Sequence, residues 1–351
     1  MKTVVLSKVK KVVLTLMVLF AMGISFAQVN DVYTKIGSNI FTKEPIKDSD
    51  VVFGGIYNES RAFLNFDQFW VDGKVTGAIY SVDEWNSVNF ELLESGTYIN
   101  AGFSPFSFLE FVVGTNYDRV LPGTYMYAYD AILPNARFGN TGATVIFTGL
   151  KPILGITAAA NIPFQVGMFS DYNGMEINAA LYYESFFGID LGTRIYGDFN
   201  DDFAIAAFLS GNLGSFNWMA GYTHNGTGYN NVIPADHYID ASVQFGLGMF
   251  AMGADFEIGF GGINDSRPLY TGIRAEFEPI SSVNAQLAVL MSVADTKDYE
   301  NTTKSLLINP KIAFDMNYSE IGIGAEILIC DVPNQDNAVG FAFPVYFKHW
   351  F

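Results

Sequence analysis

Residues 250–260 read FAMGADFEIGF, and the two alternating sets of side chains in that stretch share no chemistry: Phe250, Met252, Ala254, Phe256, Ile258 and Phe260 are apolar, whereas Ala251, Gly253, Asp255, Glu257 and Gly259 are charged or small. Successive side chains of a strand leave opposite faces, so period two specifies a strand with one greasy face and one polar face. The same alternation recurs through the second half of the chain. Leu269, Thr271, Ile273, Ala275 and Phe277 oppose Tyr270, Gly272, Arg274, Glu276 and Glu278. Val283, Ala285, Leu287, Val289, Met291 and Val293 oppose Asn284, Gln286, Ala288, Leu290 and Ser292, and Ile321, Ile323, Ala325, Ile327 and Ile329 oppose Glu320, Gly322, Gly324, Glu326 and Cys330.

A soluble sandwich also alternates, so the period alone does not place these strands in a membrane. Four features do: segments of about nine to twelve residues, small Gly, Ala and Ser residues among the polar positions, an export signal, and scarce cysteine. Trp218, Tyr222, Tyr270 and Trp350 near segment ends fit an interfacial girdle. The one long uncharged run, Pro152 to Ser170, holds Asn161, Pro163 and Gln165 and suits two short strands better than a spanning helix. The fold class is therefore all-β, a transmembrane antiparallel up-and-down β-barrel of about sixteen to eighteen strands. Seventeen segments are read between 62–70 and 339–351. Because single-chain bacterial barrels have even counts, either Val51 to Tyr57 adds a first strand or one weak early segment is not a strand. Short turns at Ser104-Pro105-Phe106, Lys151-Pro152, Leu213-Gly214, Pro279 to Ser282 and Asn317-Tyr318 are expected in the periplasm, and the longer links outside the cell.

Lys2, Lys8, Lys10 and Lys11 precede the apolar run Val12 to Phe20, and Ser25-Phe26-Ala27 supplies the small-residue pattern of a cleavage site after Ala27. Residues 1–27 are read as a signal peptide, 28–50 as a short polar amino-terminal segment, and 51–351 as one barrel domain in the outer membrane of a diderm bacterium. Without the four leader lysines, 15 basic residues face 36 acidic ones, a net charge of −21. That charge excludes nucleic acid as a natural partner. The single cysteine, Cys330, excludes a disulfide framework.

The chain ends VGFAFPVYFKHWF over 339–351, with Phe341, Phe343, Val345, Phe347 and Phe351 on one parity. This resembles the closing strand of bacterial outer-membrane β-barrel proteins, which implies recognition by the barrel-assembly machinery. His349 departs from the aromatic often found two places before the end. In organisation the rest looks porin-like, without a family motif.

The charged parity assigned to the interior gives the candidate pore lining: Asp190, Arg194, Asp236, Asp240, Asp255, Glu257, Arg274, Glu276, Glu278, Lys311, Asp315 and Glu326. Asp255, Glu257, Arg274 and Glu276 form its densest group. An acid excess concentrates cations, so the expected function is passive diffusion of small hydrophilic solutes with cation preference; the competing expectation is that these charges pair across strands and merely satisfy a solvated wall. Alternatives are a surface adhesin or anchor, for which the link 118–137 with Tyr125, Tyr127 and Tyr129 is the candidate contact, and a transporter of hydrophobic substrates, which needs an apolar lumen pocket. A barrel enzyme is the remotest reading. His224 and His237 lie at the outer rim, and the run Tyr222-Thr223-His224-Asn225-Gly226 loosely resembles the histidine motif of outer-membrane phospholipase A, but Gly226 stands where that family needs its serine. No enzyme activity, cofactor or metal is expected. Membrane lipid is the expected surroundings, and a trimer stays open beside a monomer.

Overall fold

The computed structural model describes residues 28–45, 50–82, 87–92, 97–114, 142–163, 177–184, 188–197, 203–225, 235–261, 265–333 and 338–351. The leader 1–27 and the link 118–137 lie outside the described residues. The first strands are β1 (Gln28–Lys43), β2 (Ile56–Phe66), β3 (Phe69–Val82), β4 (Ser87–Leu92), β5 (Tyr98–Phe106) and β6 (Leu109–Gly114). Then come β7 (Gly142–Leu150), a single helical turn α1 (Lys151–Leu154), β8 (Ile156–Pro163), β9 (Ile177–Tyr183), β10 (Ile189–Gly197), β11 (Phe203–Leu213) and β12 (Phe216–Asn225). The last are β13 (His237–Leu247), β14 (Phe250–Phe260), β15 (Leu269–Ile280), β16 (Val283–Val293), β17 (Lys304–Met316), β18 (Ser319–Gly324), β19 (Glu326–Asp331) and β20 (Ala338–Trp350).

Every pairing among the described residues is antiparallel, and β1 pairs with both β2 and β20, so the sheet closes on itself. β4 and β5 are two halves of one strand beside β3, and β18 and β19 are two halves of one strand between β17 and β20. The barrel thus has eighteen up-and-down strands.

The eighteenth strand comes from an unexpected place. It is Gln28–Lys43, read from sequence as a polar segment outside the barrel, and not Val51 to Tyr57. The alternation of β1 is weak because Thr34 and Ser38 sit on its outward parity beside Ile36 and Ile40. The segment read at 62–70 straddles the turn Asp67-Gln68, which divides β2 from β3.

Four of the six two-residue hairpin turns among the described residues begin with Asp67, Gly214, Gly248 and Asn317 at positive φ, which suits the tight turns of right-twisted hairpins and which Gly, Asn and Asp tolerate. Ser104 to Phe106 belongs to β5, and the turn falls at Ser107-Phe108. A register shift between Phe103 and Phe106 admits Pro105, which has no N–H for the ladder. The short turns lie at one end of the barrel, beside Gln28 and Trp350, and the strand ends that the longer links join lie at the other.

Exposure runs opposite to that of a soluble protein. On β13, Ile239, Val243 and Phe245 are 46%, 40% and 43% exposed, while Tyr238, Asp240 and Ser242 between them are buried. Phe250, Met252 and Phe256 of β14 are exposed and Gly253, Asp255 and Glu257 are buried. Apolar side chains outside and polar ones inside require an apolar solvent around the barrel. Among the described residues no helix is long and apolar enough to cross a membrane. Of the four expected girdle residues, Trp218 and Tyr222 do face outward, with Ala220. Tyr270 and Trp350 face inward, because they share parity with Arg274 and with Lys348.

Ile273, 55% exposed at the middle of β15, is expected to bear the lipid contact directly. Ile273→Arg should destabilise the barrel by about 2–4 kcal/mol, whereas Gln286→Arg on the inward face of β16 should cost far less. Denaturant titration of protein refolded into vesicles measures both; equal costs would contradict the assignment of faces.

Candidate pore wall

Closure through β1 brings a set of charged and aromatic side chains together on the inner face of β1, β2, β3, β17, β18 and β20. Arg61 is its fork. Its Nε and Nη2 donate to the two carboxylate oxygens of Asp72 at 3.0 Å each, and its Nη1 donates to Asp31 at 3.0 Å. Asp72 is buried, so this bidentate pairing is what allows its charge to stay inside the wall. The Tyr33 hydroxyl donates to Glu59 at 2.6 Å, and Lys74 lies 3.6 Å from the other Glu59 oxygen.

Beside this network three lysines converge on aromatic rings. Lys35 stands directly across from Lys348 in the β1–β20 ladder. Lys35 and Lys311 lie 4.3 and 5.0 Å from the ring centre of Tyr346, and Lys348 lies 4.0 Å from that of Tyr33 and 4.3 Å from that of Trp350. Among the described residues none of the three is in an ion pair, although the Tyr346 hydroxyl is held by Glu320. Tyr346 itself lies flat against Gly322, where any β-carbon would strike the ring.

The expected dense group divides in two. Arg274 pairs with Glu276 of its own strand at 2.5 Å, and Gln286 also donates to Glu276 at 3.3 Å. Asp255 and Glu257 lie nearer the long links, opposite Gly272 and Tyr270. They associate instead with β13: Ser242 donates to Asp255 at 2.6 Å, and Glu257 stands directly across from Asp240.

The remaining expected residues are scattered. Asp190 shares the inward parity of β10 with Gly192, and Asp236 precedes β13 in the long link. Glu278 accepts from Asn284 near the short turns at 2.9 Å, Asp315 is exposed at that same end, and Glu326 opens β19. The side chain of Arg194 lies outside the described residues.

A third stretch of inner wall is apolar: Val112, Ile146 and Ala159 are buried together, with Trp70 packed against them and its indole N–H donating to Glu110 at 2.5 Å.

His224 and His237 stand directly across from one another on the outward face near the long links, with Nδ1 atoms 3.3 Å apart. The Tyr222 hydroxyl meets His237 Nδ1 at 2.8 Å and Phe260 stacks on the same ring, so the pair belongs to an outward aromatic cluster. Two long links are tied to one another: the Arg267 amide donates to Asp295 at 3.0 Å, and Lys297 pairs with Asp265, holding that carboxyl below the usual carboxylate range.

Sequence reading missed Asp31, Tyr33, Lys35, Glu59, Arg61, Asp72 and Lys74, because it left β1 out and misplaced the β2–β3 turn. The usable signal was the inward parity Asp31, Tyr33, Lys35, Gly37.

No family model matches the chain, and no curated protein matches it in sequence. Solved structures do match. OccAB3 of Acinetobacter baumannii superposes with a TM-score of 0.61 at 10% identity, over 92% of this chain and 98% of that one. Pseudomonas aeruginosa OpdK, solved with vanillate, gives 0.58 at 11% identity over 92% and 98%. Wzi of Escherichia coli, an outer-membrane protein involved in group 1 capsule assembly and described as a carbohydrate-binding β-barrel, gives 0.56 at 9% over 90% and 84%. The chain has the fold of a porin-like outer-membrane β-barrel. At such low identity the likeness concerns the barrel's architecture and leaves the wall's chemistry to be read from this chain's own residues.

In that wall Arg61 is the residue whose loss strands a buried charge. Arg61→Ala should destabilise the barrel by about 3–5 kcal/mol, and adding Asp72→Ala should restore most of the loss. A double-mutant cycle by denaturant unfolding checks this; additive losses would contradict the pairing.

Proposed function

We propose that this protein is a porin-like channel of the outer membrane, delivered through cleavage of the leader after Ala27 and insertion by the barrel-assembly machinery, and that small hydrophilic solutes diffuse passively through it. The observation that carries the reading is the inverted wall: a charged inner face enclosed by an apolar belt. Such a cylinder has one use for its polar face, contact with an aqueous path.

Two charge effects act at different ranges. The acid excess of the mature chain sets the sign of the mean potential, which favours small cations. Locally, Lys35, Lys311 and Lys348 offer ammonium groups that have no ion-pair partner among the described residues and are backed by Tyr33, Tyr346 and Trp350. That grouping supports transient docking of an anionic solute group, with the rings of Tyr33, Tyr346 and Trp350 beside it for an aromatic one. OpdK was solved with vanillate, an aromatic carboxylate, which is the chemistry this pairing of lysines and aromatic rings would accept.

Planar-bilayer recording of the refolded mature protein tests both parts. Stable conductance steps are expected, with a cation-selective reversal potential in a KCl gradient. The triple variant Lys35→Gln, Lys311→Gln, Lys348→Gln should deepen cation selectivity and weaken block by an aromatic carboxylate. Electrical silence from a folded, heat-modifiable barrel would refute the channel, and an unchanged block in the triple variant would refute the role of the lysines.

A further inference from the structure

Asp240 and Glu257 are directly paired across the β13–β14 ladder, on the inner face, and are 0% and 1% exposed. None of their four carboxylate oxygens has a hydrogen-bond partner among the described residues. Their neighbour Asp255 shows what an ordinary resolution looks like, since Ser242 donates to it at 2.6 Å. Two adjacent carboxylates buried without donors are unfavourable as anions, because desolvation and mutual repulsion act together, and unfavourable as neutral acids, because their hydroxyl protons have nowhere to go. An unsatisfied group of this kind calls for an unseen ligand.

The sequence around the pair removes the usual remedy. Between Arg194 and Arg267 the chain has no lysine or arginine, and the two histidines of β12 and β13 stand on the outward face, so β11, β12, β13 and β14 offer the pair no cationic side chain. Arg274 on β15 stands opposite Gly253 and is engaged by Glu276. On β12 the residue opposite Asp240 is Gly221, and any β-carbon there would collide with the Asp240 carboxylate. The Asp240 carboxylate therefore lies on the Gly221 backbone, in the space a side chain there would take.

We propose that Asp240 and Glu257 bind a hard divalent cation, with calcium as its representative, between β13 and β14 in the barrel wall. The donors are all oxygen, which is the ligand set such ions prefer, and water can complete the shell. One ion of charge +2 cancels both carboxylates and bridges two strands at a place where side-chain hydrogen bonds do not.

The test uses the refolded, full mature chain after treatment with a chelator. Terbium should bind at the pair and luminesce when tyrosine is excited, since Tyr238 and Tyr270 lie on the same and the adjoining strand, and calcium should displace it. Asp240→Asn and Glu257→Gln, which preserve shape, should each abolish the calcium-displaceable signal. Calcium should raise the melting temperature of the wild type and leave that of the double variant unmoved. Wild-type protein with no calcium-displaceable terbium would overturn the proposal, as would variants that retain it. Displacement by arginine but not by calcium would also overturn it, assigning the pair to an organic ammonium or guanidinium group instead.

Discussion

Backbone amides and carbonyls have no water to bond with in the hydrocarbon layer, so a sheet placed there must leave no open edge. Everything else in this molecule follows from that closure. It is made by Gln28–Lys43, whose ladder runs to β2 on one side and to β20 on the other. Without it β2 and β20 would both present unpaired edges to lipid. The same strand carries Tyr33 and Lys35 into the lumen, so the element that completes the hydrogen bonding also completes the charged wall.

Inside, charge is sorted around the circumference. The arc from β17 through β20 to β3 carries bases that are either forked into carboxylates, as Arg61 is, or laid on aromatic rings, as Lys35, Lys311 and Lys348 are. The arc at β13 and β14 carries only acids. A single sum of charges misses this separation. Mean potential governs small ions, whereas a solute with its own charges meets particular walls, and the two questions have different answers in the same barrel.

How much of this was legible depended on contrast between the two faces. From β13 onward the outward parity is almost wholly apolar and the inward one polar, and the expected run Val283 to Val293 coincides with β16. Turn chemistry helped, as at Gly214 and Asn317 with their positive φ. In β1 the contrast fades, since Thr34 and Ser38 occupy lipid-side positions, and the inward run Asp31, Tyr33, Lys35 and Gly37 stands out only weakly against them. The candidate site suffered accordingly. Alternation puts Asp240, Asp255, Glu257 and Arg274 on one face of their strands, but the register that joins Asp240 to Glu257 and separates Glu257 from Arg274 is a property of strand pairing, which alternation within one strand does not contain. Tyr270 and Trp350 show the same limit: an aromatic near a strand end reads as girdle until its parity is fixed by its neighbours.

The central claim is that the apolar parity faces lipid and the polar parity faces water. Single cysteines at 286, 287, 288 and 289 of β16, introduced after Cys330→Ser and labelled with an environment-sensitive fluorophore in vesicles, test it directly. Labels at Leu287 and Val289 should be quenched by brominated acyl chains and shielded from aqueous iodide, and labels at Gln286 and Ala288 should show the reverse. Identical responses at all four positions, or the opposite phase, would contradict the inverted barrel.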